Sequence, residues 1–292
     1  ASGSCPGAGR KESSRNMNSI SPPPQHDHRD HPIGIFDSGV GGLTILRAIA
    51  EALPRENLLY VADTAHLPYG GKSGLAVERR ALGITRFLVA QGAKAIVVAC
   101  NTATALAINR LRREFALPFV GVEPAIKPAI AATRNGVVGV LATPALLGSE
   151  RFGDLLRRFG SGVRMVTQAC AGLAEHIERG DLNSARTLEM LGGYVQPLLV
   201  AGADTIVLGC THYPLLLQSV REIAGPGVTV IENGEAVARE LGRQLAMRGL
   251  QRSQGIGGRR FHASGSVTSL EQLLTRLGET NVVVASLPEI AG

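Results

Sequence analysis

Short apolar runs alternate with stretches of helical period along most of the chain. Ile33 to Phe36 precedes an amphipathic stretch over Leu43 to Leu53, Asn57 to Ala62 precedes Ala76 to Ala90, and Ala95 to Ala99 precedes Ala103 to Phe115. Each run is too short for a helix, ends in a glycine or polar turn, and is apolar at successive positions, as strands covered on both faces are. The alternation resumes at Gly136 to Ala142, Val163 to Val166, Thr205 to Leu208 and Val228 to Ile231. This order predicts an α/β fold with parallel sheets.

The chain is also similar to itself. Leu88 to Thr102 (LVAQGAKAIVVACNT) aligns with Leu198 to His212 (LLVAGADTIVLGCTH) at a shift of 110 residues, with six identities in fifteen positions. Both copies read as a helix end, Gly-Ala, a strand, a cysteine and a helix start. Gly34 to Ser38 and Gly139 to Thr143 share a weaker pattern, each a strand ending in a hydroxyl residue. Duplication of this kind predicts two pseudo-symmetric, doubly wound parallel-sheet domains with the active site between them.

Composition narrows the partners. A chain of 292 residues with 45% hydrophobic residues suits one large domain or two modest ones. Aromatics make up 4% and Trp is absent, which argues against a base-stacking surface. The net charge of +6 is spread without a basic run, so nucleic acid is not expected, and a DNA-binding protein is the weakest rival. No segment has the roughly 18 uninterrupted apolar residues of a membrane span, and the polar N-terminus lacks the apolar block of a signal peptide, so a cytoplasmic location is expected. The cysteines at 5, 100, 170 and 210 form neither a CxxC pair nor a zinc spacing. Residues 1–32, rich in Ser, Gly and Pro, read as a disordered leader; a start at Met17 would place Ala1 to Asn16 and Cys5 outside the natural chain. The cluster His26, Asp27, His28 and His31 in this leader is assigned no function.

Cys100 and Cys210 carry the chemistry. Each stands at the carboxyl end of a strand and before an expected helix N-terminus, where the dipole and free N–H groups should lower a thiol pKa from its usual value of about 8.5. The neighbours Asn101-Thr102 and Thr211-His212 are polar, unlike those of a merely buried cysteine, and Cys170, without a counterpart in the repeat, reads as structural. Two thiols on opposite walls of a cleft suit removal of a proton from one face of a stereocentre and its return to the other, which is racemisation or epimerisation. A rival reading starts from Gly39-Val40-Gly41-Gly42 after the first strand, with Asp63 ending the next, as in nucleotide-binding Rossmann-like oxidoreductases. The spacing is GxGG rather than GxGxxG, and a tight turn presenting Asp37 and Ser38 reads better.

Five segments carry a family resemblance: Gly34-Ile-Phe-Asp-Ser-Gly-Val-Gly-Gly42, Asp63-Thr-Ala-His-Leu-Pro-Tyr-Gly70, Ala99-Cys-Asn-Thr-Ala103, Gly121-Val-Glu-Pro-Ala125 and Leu208-Gly-Cys-Thr-His-Tyr-Pro214. In order and spacing they resemble the glutamate racemases of the aspartate/glutamate racemase superfamily, over about Ile33 to Gly278. The resemblance implies a cofactor-independent isomerase interconverting L- and D-glutamate for peptidoglycan synthesis, with an aspartate or other amino-acid racemase as the alternative. It implies a first domain of residues 33–124 plus 234–285 and a second of 125–233. Cys100 would act on D-glutamate and Cys210 on L-glutamate, with Asp37 near Cys100 and His212 assisting Cys210, supported by Glu178. Asp37, Ser38, Tyr69, Gly70, Asn101, Thr102, Thr211 and His212 would contact substrate. Neither cofactor nor metal is expected; the oligomeric state stays open, a homodimer included. Phe261-His262-Ala263-Ser264-Gly265 departs from the family's FYTSG, and His66-Leu67 stands inside the second motif.

Overall fold

A computed structural model describes residues 1–3, 28–279 and 282–290. Its strands form two parallel sheets. The first contains β1 (Ile33–Asp37), β2 (Leu58–Ala62), β3 (Ala95–Val98), β4 (Phe119–Gly121), β9 (Arg259–Ala263) and β10 (Val284–Ser286), in the order β10-β9-β2-β1-β3-β4. The second contains β5 (Val137–Ala142), β6 (Arg164–Ala169), β7 (Thr205–Leu208) and β8 (Thr229–Ile231), in the order β6-β5-β7-β8. The repeat seen in the sequence is therefore a repeat of topology: β2-β1-β3-β4 and β6-β5-β7-β8 are the same order displaced by four strands. Register agrees, since Phe36 pairs with Val98 and Leu141 with Leu208, which are equivalent positions in the two copies.

Helices fill the connections. In chain order they are α1 (Leu43–Ala52), α2 (Gly74–Ala90), α3 (Asn101–Glu114), α4 (Ile126–Ala132), α5 (Pro144–Leu147), α6 (Glu150–Phe159), α7 (Leu173–Glu178), α8 (Ala185–Val200), α9 (Leu217–Ala224), α10 (Gly234–Met247) and α11 (Val267–Arg276). Side chains alternate across β1 and β3: Ile33, Ile35, Ala95 and Val97 pack towards α1, α10 and α11, whereas Phe36, Ile96 and Val98 pack towards α2 and α3. The second sheet is covered likewise, by α7, α8 and α9 on one face and α4, α5 and α6 on the other. Burial on both faces explains why β1, β2, β3 and β7 are buried at every position and show as continuous apolar runs. No described helix is long and apolar enough to cross a membrane.

The chain passes to the second sheet after β4 and returns to the first through α10. Both crossings occur once, so the second sheet is an insertion within the first unit.

Most of the expected leader, residues 4–27 with Cys5, Met17, His26 and Asp27, lies outside the described residues. Its last part corrects the expectation of disorder. His28–Asp30 forms a 3-10 turn, Lys94 N donates to Pro32 O at 2.9 Å and Asn57 Nδ2 donates to Asp30 O at 2.8 Å. Beneath them the Lys94 ammonium bonds both Arg29 O and Glu56 Oε2 at 2.5 Å, the ion pair being buried.

Candidate active site

The cysteines meet across one cavity of about 160 Å³, below the roughly 300–1,000 Å³ of pockets for drug-sized ligands. Ser38, Tyr69, Gly70, Cys100, Asn101 and Thr102 line it from the first sheet, and Cys210, Thr211 and His212 face them from the second. Apart from Tyr69 and Gly70, which lie in the connection between β2 and α2, these follow the carboxyl ends of β1, β3 and β7, and the strand pairs β1/β3 and β5/β7 are the points where strand order reverses in each sheet, as the rule for open α/β sheets requires. Asp37 and Glu178 do not line the cavity. Asp37, expected to touch substrate, stands fully buried behind the wall, its Oδ2 accepting from Gly42 N at 2.6 Å and its Oδ1 without a partner in the protein.

The two thiols have different surroundings. Cys100 caps α3: its Sγ accepts from Ala103 N at 3.4 Å and donates to Ser38 Oγ at 3.8 Å. The expected fall in its pKa is reversed. Burial, and then the charge of Asp37, push the Cys100 thiol well above the usual range and outweigh the single N–H it accepts. Cys210, unlike Cys100, does not begin an α-helix; the 3-10 turn Tyr213–Leu216 follows it, and α9 starts only at Leu217. A side chain, rather than a helix N-terminus, stands beside it. Cys210 Sγ lies 3.6 Å from His212 Nδ1, and His212 Nε2 lies 2.6 Å from Glu178 Oε1. Burial alone would depress the His212 pKa, but the bonds to Cys210 and Glu178 and their charges hold it well above its ordinary value of 6.5. Cys170 is buried away from the cavity wall, and burial pushes its thiol up to about 12, in line with a structural role.

The glycine turn is shaped by these groups. A Cβ at Gly39 would come within 1.9 Å of Glu178 Oε1, one at Gly41 within 2.5 Å of His212 Nδ1, and one at Gly42 within 2.7 Å of Asp37 Cβ. Val40 N donates to Glu178 Oε1 at 2.6 Å. The turn is thus filled by protein carboxylates and an imidazole, which leaves no cradle for a pyrophosphate and removes the basis of the dinucleotide reading. Asp63, the supposed ribose ligand, is enclosed by Arg80 and Tyr69.

Asn101 is buried with neither amide atom bonded within the protein, as a group kept for a ligand would be. Several lining residues were missed in the sequence, Thr143 and Glu175 among them. Thr143 follows β5 and caps α5, its Oγ1 lies 3.1 Å from Thr102 Oγ1 across the cleft, and its place in the repeat equivalent to Ser38 was the available signal. Glu175 on α7 also lines the cavity, and nothing in the pattern marked it. No lysine or arginine is among the lining residues, so anionic groups entering the cavity meet backbone N–H groups, hydroxyls, an amide and His212, with the Glu175 carboxylate also on the wall.

Comparison with known proteins agrees with this architecture. The Asp/Glu/Hydantoin racemase family model matches residues 33–241. The chain is 54% identical over 237 residues to a glutamate racemase of Methylococcus capsulatus, covering 81% of this chain and 88% of that one. Among solved structures, a glutamate racemase isoform from Bacillus anthracis superposes with a TM-score of 0.82 at 32% identity, covering 88% of this chain and 98% of its own. Escherichia coli glutamate racemase, in complex with L-glutamate and activator UDP-MurNAc-Ala, gives 0.79 at 31% identity, covering 90% and 100%.

Proposed function

The chain belongs to the glutamate racemases, amino-acid isomerases of the Asp/Glu/Hydantoin racemase family, and from that premise we propose that Cys100 and Cys210 interconvert L- and D-glutamate as opposed bases. The observation that carries the reading is the placement of two thiols, from equivalent strand ends of two sheets, on one small cavity. The L-glutamate bound to the E. coli relative supports the substrate.

In this reading Cys210, as thiolate beside the His212 imidazolium, removes the Cα proton of L-glutamate, and the Cys100 thiol delivers its own proton to the opposite face. D-glutamate leaves with Cys210 protonated and Cys100 ionised, and the reverse direction begins from that state. Burial suits Cys100 to hold its proton until the carbanion forms. Glu178 orients His212, and Asp37 acts on Cys100 from behind the wall rather than on substrate. Ser38, Tyr69, Gly70, Asn101, Thr102 and Thr211 hold the substrate's polar groups in a dry cleft, where donors stabilise developing charge most strongly. We read residues 33–124 with 234–285, and residues 125–233, as the two domains that close on it.

The test is the circular dichroism of L-glutamate incubated in D₂O with the purified protein and no added cofactor. The signal should decay to zero, with deuterium appearing in the D-product before it accumulates in recovered L-substrate. Cys100→Ser and Cys210→Ser should each abolish the decay while the folded chain keeps its far-UV spectrum. Full turnover in either variant sinks the two-base mechanism.

A further inference from the structure

The wall formed by Leu67 to Gly71 is the part of the cavity with the least regular structure beneath it. It belongs to the connection between β2 and α2, which contains only two short 3-10 turns, Thr64–His66 and Tyr69–Gly71. Backbone donors on such a segment discriminate an anion only if the segment is already in place when the ligand arrives. The lining has no lysine or arginine to compensate for a loose donor, and its imidazole stands beside Cys210.

One buried carboxylate gathers this segment. Asp63, at the end of β2, is inaccessible to solvent. Its Oδ2 accepts from Tyr69 Oη at 2.6 Å and from Arg80 Nε at 2.9 Å, while its Oδ1 accepts from Arg80 Nη2 at 2.8 Å and lies 3.1 Å from His66 Nδ1. Arg80 therefore grips Asp63 with a planar two-bond fork from the second turn of α2. Asp63 N in turn donates to Asp37 O at 3.0 Å, so the carboxylate is tied to the end of β1 as well. Two thirds of the way along the connection, the Tyr69 phenol is pinned at its tip and its ring is buried in the apolar layer beneath the cleft.

We propose that Asp63 and Arg80 are positioning residues for substrate recognition: their ion pair, acting through the Tyr69 phenol, holds the Tyr69-Gly70 backbone where it meets a substrate carboxylate. This rests on the reading that Tyr69 and Gly70 contact glutamate. Neither Asp63 nor Arg80 touches the reacting atoms, and Arg80 does not line the cavity. A carboxylate held by these donors is held in the ground state and the transition state alike, so loosening the clasp weakens uniform binding and leaves the proton transfers in place.

The test is a comparison of steady-state constants for Arg80→Gln, Arg80→Lys, Tyr69→Phe and the wild type, with both enantiomers of glutamate. For Arg80→Gln, KM should rise about tenfold, by the same factor for both enantiomers, with kcat within about twofold of wild type. Arg80→Lys keeps the charge without the fork and should fall between, and Tyr69→Phe, which loses one bond of the clasp at a residue that itself meets substrate, should raise KM in the same sense. If Arg80→Gln does not fold, as judged by near-UV circular dichroism, the two milder variants carry the same comparison. Unchanged KM in the folded variants, or loss of kcat at unchanged KM, overturns the proposal while normal wild-type turnover leaves the parent reading intact. Absence of wild-type turnover on either enantiomer overturns the parent reading and this role with it.

Discussion

A single methyl group at Gly39 should do damage out of proportion to its size. The nearest atom to the added Cβ is Glu178 Oε1, which also accepts from Val40 N and His212 Nε2, so the carboxylate cannot step aside without releasing both. Gly39→Ala should lower kcat/KM for glutamate on the order of a hundredfold, measured by the dichroism assay, because it displaces the group that orients the His212 imidazole. The same imidazole has a second measurable consequence. His212 holds its proton more tightly in the folded chain than at its ordinary value of 6.5, so its contribution to stability is complete below that pH and is lost as pH rises through the higher folded value. Urea unfolding of wild type and His212→Asn should therefore show a stability difference that shrinks steadily above pH 6.5. A difference that grows with pH contradicts the His212–Glu178 pair. Residue by residue, the cysteines and their polar neighbours were legible because the duplicated segment contains them. Thr143 was half legible, through the weaker copy of the pattern around Ser38. Arg80 and Glu175 were not legible, since an arginine or glutamate on a helix reads as solvated surface until the fold shows what it faces.

Among the elements, strands buried on both faces declared themselves, whereas strands near sheet margins showed in part, as β6 and β8 did, or not at all. β4 and β10 are three residues long, and β9 begins with two exposed arginines, so none offers an apolar run. β6, paired only with β5, is half exposed and shows its apolar residues over only part of its length. The thiol environments escaped for a related reason. A pattern of strand then helix does not say whether the first turn is α-helical or 3-10, and it does not price the burial that raises the Cys100 pKa. At this scale the short α5 makes a prediction. Thr143 caps it, Oγ1 accepting from Leu146 N at 3.3 Å, and the same oxygen reaches Thr102. Thr143→Ala should cost about 1 kcal/mol in urea unfolding through the lost cap, and should raise KM as well because the cleft loses its hydroxyl contact. Loss of stability without a change in KM would confine Thr143 to capping.

For the whole molecule, the end of the first sheet remote from the cavity is held by the Lys94–Glu56 pair. Lys94 ties the turn before β1 to the strand bearing Cys100, and Glu56 Oε1 accepts from Arg252 N at 2.9 Å, which adds the chain after α10. Lys94→Ala should destabilise the chain by about 3–5 kcal/mol, since it leaves a carboxylate buried without its partner. Replacing both residues by Met should recover much of the loss, and a urea series with m-values checks both. A double variant as unstable as Lys94→Ala would show that packing, rather than the orphaned charge, sets the cost.

The two halves share a strand order but not the groups behind their thiols: Asp37 stands behind Cys100, and His212 with Glu178 beside Cys210. In a reaction whose substrate and product are mirror images, this inequality has a thermodynamic bound. Enantiomers have equal free energies, so kcat/KM must be the same in both directions at every pH, however differently the two walls are built. The unequal surroundings can therefore favour neither enantiomer at equilibrium; they can only divide the time the enzyme spends between its two protonation states. That division should show as kcat and KM values for L- and D-glutamate that differ by one common factor.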